Sequence, residues 1–209
     1  GPAGASELSD DLAARRARLM ERLSPDTIVV LMSAPPRVYS NDVDYEYRQD
    51  SNFYYLTGMT QDETFLVLMP GNATRREILF IRDRDASREH WTGRLLSREE
   101  ARARTGIQTV LSSRDFDAFV QAMLAGRGWG STIDRSEADS FFRALATGSA
   151  RLGVALDLAP DGEPPTPTQA FLQRTRERAV GFVPIDVTSH FTDLRIVKTP
   201  FELKMLSTA

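Results

Sequence analysis

The sequence predicts an α/β domain, a mixed β-sheet flanked by helices on both faces, and three observations carry that expectation. Residues 27–32, Thr-Ile-Val-Val-Leu-Met, form a continuous apolar, β-branched run of the kind found in strands covered on both sides. Runs of this type alternate along the chain with segments whose apolar residues recur at helical spacing. Two further apolar runs, 64–69 and 77–82, flank Pro70-Gly71-Asn72 and read as a hairpin, which makes the sheet mixed. A length of 209 residues allows one large domain, or one domain and part of a second.

The elements follow in order. Ser9 is placed to cap a first helix, with Asp10 and Asp11 in its opening turn and Leu12, Leu19, Met20 and Leu23 on one face. Arg15, Arg18 and Arg22 fall largely off that stripe. Ser24-Pro25-Asp26 stops the helix, strand 27–32 follows, and Pro35-Pro36 breaks it. An acidic lead-in, Asn41-Asp42-Val43-Asp44, precedes the densest aromatic stretch, Tyr45 to Gly58, whose five rings sit in a polar and charged frame. Within it residues 53–57 read as a strand, which leaves open whether the rings enter a core or line a binding face. After the hairpin come Arg82-Asp83-Arg84-Asp85 and Glu89-His90-Trp91-Thr92-Gly93-Arg94, a charged loop with one indole. Ser97 and Glu100 have capping-box spacing before a short helix ending at Gly106, and residues 107–111 form a short strand.

Ser113 is placed to cap the clearest amphipathic helix, with Phe116, Phe119, Val120, Met123 and Leu124 on one side. Gly126, Gly128 and Gly130 follow a helix instead of opening one, so they read as a loop and not as a phosphate cradle. Residues 136–145 predict a helix, 151–158 a strand, and Thr166-Pro167-Thr168-Gln169 a capping box opening a helix to about residue 179. A strand over 182–185 and helical spacing over 186–197 complete the domain. Thr199-Pro200-Phe201-Glu202 is a further capping box, with Phe201, Met205, Leu206 and Ala209 starting an amphipathic face. So strong a start followed by two turns suggests the front part of a longer protein.

Composition narrows the function. Hydrophobic residues at 41% and charged residues at 26% are ordinary globular usage. The net charge is −3 and arginine is dispersed, so nothing requires a nucleic-acid partner. The absence of cysteine excludes disulfides, thiolate zinc sites and cysteine nucleophiles. No apolar run approaches the roughly 18 residues of a membrane helix, and the start lacks a secretory layout, which fits a cytoplasmic chain with no membrane partner. Gly1-Pro2 resembles a tag-cleavage scar, and residues 1–6 are set aside from fold reasoning.

No complete catalytic constellation is visible. Hydrolytic metal sites need several converging His, Asp or Glu ligands, whereas the two histidines, His90 and His190, are far apart and neither belongs to a His-Glu-x-x-His pattern. His190 reads as a helix-surface residue; His90, beside Trp91, reads as solvent-facing or as part of a pocket. Asp42, Asp44, Glu46 and Asp50 share a parity that would put them on one face of an extended segment, either as a cation site or as a solvated lip. Asp83 and Asp85 alternate with Arg82 and Arg84, as local ion pairs do. Nucleophile-elbow, phosphate-loop and dinucleotide motifs are absent.

Several of these stretches resemble a known family. Arg48-Gln-Asp-Ser-Asn-Phe-Tyr-Tyr-Leu-Thr-Gly58, Ile78-Leu-Phe with Arg84-Asp85, Glu89-His-Trp-Thr-Gly-Arg94 and Asp193-Leu-Arg-Ile-Val-Lys-Thr-Pro-Phe-Glu202 look like the N-terminal domain of Xaa-Pro aminopeptidases, or aminopeptidase P. Prolidase and creatinase relatives are less similar around Trp91. The resemblance implies a creatinase-type, ribonuclease H-like fold over residues 7–186, and over 187–209 a linker helix and the start of a "pita-bread" catalytic domain. It implies a parent hydrolase that removes the N-terminal residue from peptides with proline second, using two divalent metals, usually manganese, held by two Asp, one His and two Glu of that catalytic domain. This chain would then bind no cofactor and be silent alone. Its partners would be its own C-terminal domain, further copies in a homo-oligomer, and the peptide substrate. The matching positions that would reach a neighbour's active site are Asp42 and Trp91, with Arg48 and Arg94 orienting their segments. For Trp91 the other reading is an intradomain lid, and for Asp42 a capping or solvated acid. The alternatives for the whole chain are a non-enzymatic association or peptide-binding module of the same fold, or the N-terminal domain of a prolidase or creatinase relative.

Overall fold

The computed structural model describes residues 2–36, 47–85, 87, 89 and 94–208. Six strands form one sheet in the order β4-β3-β2-β1-β5-β6: β1 (Thr27–Met32), β2 (Phe65–Leu68), β3 (Glu77–Ile81), β4 (Thr109–Ser112), β5 (Ala150–Val154) and β6 (Phe182–Asp186). β2 is antiparallel to both neighbours, with Val30 opposite Val67 and Val67 opposite Ile78, while the other pairings are parallel. The hairpin is therefore present inside a largely parallel sheet. Pro184 is tolerated in β6 because that strand is an edge.

Alternation along each strand builds two cores. Ile28, Val30, Val67, Ile78, Phe80, Leu152 and Val154 point to one face. There α4 (Phe116–Leu124), α5 (Asp139–Ala146) and α6 (Pro167–Arg178) cover them. Phe116 is the hub, stacked on Phe65 at 4.0 Å and edge-on to Phe80 at 5.5 Å. Val29, Leu31, Leu66, Leu68, Leu79 and Ile81 point the other way. They meet α1 (Pro2–Met20), α2 (Ser51–Thr57), α3 (Arg98–Thr105) and α7 (Thr188–Ile196). The last helix, α8 (Pro200–Thr208), lies along α1.

Three capping boxes form as expected, at Ser97/Glu100, Thr166/Gln169 and Thr199/Glu202. Other expectations need correction. Residues 53–57 are helical: Asp50 accepts from the amides of Asn52 and Phe53 at 3.0 and 2.8 Å, and Gly58 closes the helix at φ 62°. Caps at both ends thus override the strand preference of Phe53, Tyr54 and Tyr55. Phe53 and Tyr55 are buried and Tyr54 is exposed. Ser9 lies inside α1, which starts at Pro2, and its hydroxyl donates to the Ser6 carbonyl. Ser112, one residue earlier than expected, caps a 3-10 turn that leads into α4, and Asp134 caps another before α5. Leu203, Met205 and Leu206 on α8 are exposed.

The largest departure concerns α1. Arg15, expected off the buried stripe, is buried, and Arg16 is 0% exposed. Arg16 donates to the Leu56 and Thr105 carbonyls, both at 2.8 Å, and pairs with Glu77. A cation thus meets the C-terminal ends of α2 and α3, where carbonyls lack intrahelical partners. Burial holds the Arg16 guanidinium below its ordinary pKa, against the pull of Glu77.

Candidate functional site

The five parallel strands all end at one edge of the sheet, and the loops leaving that edge carry the residues singled out above. After β1 the chain leads to α2 on one face; after β5 it leads to α6 on the other. Neighbouring parallel strands that send their connections to opposite faces leave a crevice at their carboxyl ends. Here it is a groove of about 340 Å³ lined by Ser33, Pro35, Arg48, Asp50, Asp157 and Thr166.

A polar network fixes the described rim. Gln49 is its centre: its Oε1 accepts from the amides of Ala34 and Asp50 at 2.8 and 2.9 Å, and its Nε2 donates to the Gln61 carbonyl at 3.1 Å. The Tyr47 hydroxyl donates to the Ala34 carbonyl at 2.6 Å. Burial, chiefly, pushes that hydroxyl up to about 12, so it remains a donor across the neutral range. The side-chain oxygen of Gln61 accepts from the amide of Leu96 at 3.1 Å. One residue of the loop between α2 and β2 therefore holds both the aromatic stretch and the chain leaving the indole loop.

The charged loop is ion-paired both within itself and to its neighbours. Arg82 pairs with Asp62 at 2.9 Å and Glu63 at 3.2 Å, Arg84 with Glu89, and Asp83 with Arg98 at 3.1 Å. Asp62 and Glu63, from the loop between α2 and β2, and Arg98 of α3 take part beside the loop's own Glu89. The Ser112 hydroxyl, at 2.5 Å, and then Arg98 hold the Asp83 carboxyl below its ordinary value. Glu63, Arg82, Asp83, Asp85, Glu89 and Arg114 line a second depression of about 490 Å³ beyond β3.

Of the residues named from sequence, Arg48 is exposed on the first groove, and Arg94 is exposed and paired with Glu100. Both flank the rim, linked through Gln49, Gln61 and Leu96. Asp42 and Trp91 lie outside the described residues, as do His90, Asp44 and Glu46. Asp50, the fourth member of the carboxylate set, is spent on the α2 cap. His190 is half-buried on α7. Among the described residues no group of three or more His, Cys, Asp or Glu is arranged to hold a metal ion. Sequence reasoning missed Gln61 and Tyr47, whose roles arise from contacts distant in the chain. It also missed Arg16, although positions 12, 16, 19 and 23 share one helical face.

Comparison with known proteins fits this geometry. The sequence profile of the family described as aminopeptidase P, N-terminal domain, matches residues 12–131. The Xaa-Pro aminopeptidase of Escherichia coli is 33% identical over 123 residues, which is 58% of this chain and 28% of that protein. The Xaa-Pro aminopeptidase of Haemophilus influenzae is 28% identical over 65% of this chain and 34% of that protein. The chain thus spans about a third of the length of these curated relatives. Among solved structures, an aminopeptidase P from Bacillus anthracis superposes with a TM-score of 0.77 at 25% identity, covering 96% of this chain and 43% of that one. The Pseudomonas aeruginosa aminopeptidase PepP gives 0.68 at 27% identity, over 94% and 40%. The strand order, the two-faced packing, the profile match and these neighbours agree, and the chain belongs to the aminopeptidase P N-terminal domain family.

Proposed function

We propose that this domain is the non-catalytic N-terminal part of a metal-dependent Xaa-Pro aminopeptidase, which assembles into oligomers and lends the edge of a substrate pocket to a neighbouring subunit. The reaction would be hydrolysis of the bond before a proline in second position. Two divalent metals, manganese by resemblance, would activate the water from a catalytic domain outside this sequence. Asp42 would anchor a polar group at the pocket edge, and the Trp91 indole would form an apolar wall beside the substrate proline. Arg48 and Arg94 would orient the segments that bear them.

The observation that best supports this reading is the link through Gln61, which holds Gln49 on one side and Leu96 on the other. The described flanks of the two segments carrying Asp42 and Trp91 are thereby fixed to one rim. The test uses the manganese-loaded full-length protein and a chromogenic Xaa-Pro peptide. The full-length protein should turn over, residues 1–209 should not, and Trp91→Ala should raise KM. Mixing Trp91→Ala subunits with subunits whose metal ligands have been removed should restore part of the activity through one intact shared site. Turnover by residues 1–209, or an unchanged KM in Trp91→Ala, would refute the division of labour.

A further inference from the structure

On the face of the sheet away from α1 and α8, helices α4 and α6 run side by side and leave a groove of about 470 Å³ between them. Its floor is apolar, formed by Leu124 and Phe171, and Val180 at its end is 87% exposed. Around it stand Arg127, Arg174 and Arg178, all exposed. Among the described residues, none of the three guanidinium groups has an ion-pair or hydrogen-bond partner. By contrast, Arg15, Arg16, Arg22, Arg82 and Arg98 all face carboxylates. Among the described residues Asp117 is the only carboxylate lining the groove, so this region is locally cationic on a chain whose net charge is −3.

Three uncommitted guanidinium groups around an apolar floor are complementary to an acidic ligand that also carries apolar side chains. Arg174 and Arg178 are one helical turn apart and can each present a planar fork to a carboxylate, with Arg127 facing them across the groove. An arginine rim around apolar contacts is a recurrent arrangement for binding acidic segments. We propose that the α4–α6 groove is a docking site for an acidic peptide segment of a partner protein, in which apolar residues alternate with carboxylates. The apolar side chains would occupy the floor over Leu124 and Phe171, and the flanking carboxylates would pair with the three arginines. This surface is separate from the rim around Gln61.

The test measures fluorescence anisotropy of a fluorescein-labelled peptide of alternating glutamate and leucine, titrated with the 209-residue protein at about 50 mM salt. Saturable binding is expected. It should weaken at least tenfold in Arg174→Glu/Arg178→Glu, and comparably when serine replaces every leucine of the peptide. Arg135→Glu/Arg151→Glu, which reverses two arginines outside the groove, should bind as the parent does. These positions are exposed, and circular dichroism verifies that each variant is folded. The proposal is overturned by any of three results: no saturation at millimolar protein, equal loss in the Arg135/Arg151 variant, or equal affinity for the serine peptide, which would mean charge attraction without a groove.

Discussion

Arg16 offers the sharpest test of how the rim is held. Its guanidinium pins the C-terminal ends of α2 and α3, whose opposite ends, at Asp50 and Ser97, carry the rim segments. Arg16→Met keeps most of the stem volume and removes the charge. Two bonds from a cation to buried carbonyls are lost, each worth about 1.5–3 kcal/mol net. Glu77 also loses its partner, but its side chain is 25% exposed and can rehydrate. The total should therefore fall near the lower end of the roughly 3–5 kcal/mol typical of a broken buried pair, about 3 kcal/mol. With a urea m-value of about 2–3 kcal/mol/M, the midpoint should drop by about 1 M or more. The double variant Arg16→Met/Glu77→Leu should lose less than the sum of the single changes, because it leaves no unpaired charge. Hydrogen exchange should accelerate in α2 and α3 together. A loss under about 1 kcal/mol, or additivity in the double variant, would show that the cluster contributes packing and not electrostatics.

Two further outcomes follow from local geometry. Gly71 sits where an added Cβ would run into the Pro25 carbonyl, so Gly71→Ala must push the β2–β3 turn off the connection between α1 and β1. The expected cost is about 1–3 kcal/mol, a fall in Tm of about 2–12 °C by calorimetry, and an unchanged Tm would contradict the contact. Asp83 has its folded pKa lowered by Ser112 and Arg98. Its stabilisation is therefore complete above its unfolded value, near pH 4, and is lost as pH falls through the lower folded value. The urea-midpoint gap between the parent and Asp83→Asn should be constant from about pH 8 to 5 and shrink below about pH 4; a gap undiminished at pH 3 would argue against the assignment.

The sheet and its helices were legible because their signals are local or periodic. The apolar runs at β1, β2 and β3 and the capping pairs at Ser97, Thr166 and Thr199 specify their elements from a few neighbouring residues. The aromatic stretch was misread because strand preference was weighed without the two caps, Asp50 and Gly58, that close a single short helix around Phe53, Tyr55 and Leu56. A buried Arg16 runs against residue-type expectation, and only its partners, contributed by β3, α2 and α3, explain it. The rim was half legible. Motif flanks at Arg48 and Arg94 could be named, whereas Gln49 and Gln61, which join them, are ordinary polar residues until the fold brings them together.

Tyr55 has a consequence beyond core packing. Its ring lies between two guanidinium groups, Arg15 at 4.5 Å and Arg195 at 5.0 Å, and its hydroxyl donates to the Leu194 carbonyl at 3.3 Å. Arg195 also donates to the Ser51 carbonyl at 2.9 Å, in the first turn of α2. Arg15 approaches Glu202, in the first turn of α8, at 3.6 Å. Helices α1, α2, α7 and α8 are thus clamped around a single ring, like arms on a common axle. A tilt of α8 cannot be absorbed at the α7–α8 elbow alone: it pulls on Arg15, shifts Tyr55, and turns the short helix whose leading end holds Asp50 at the rim.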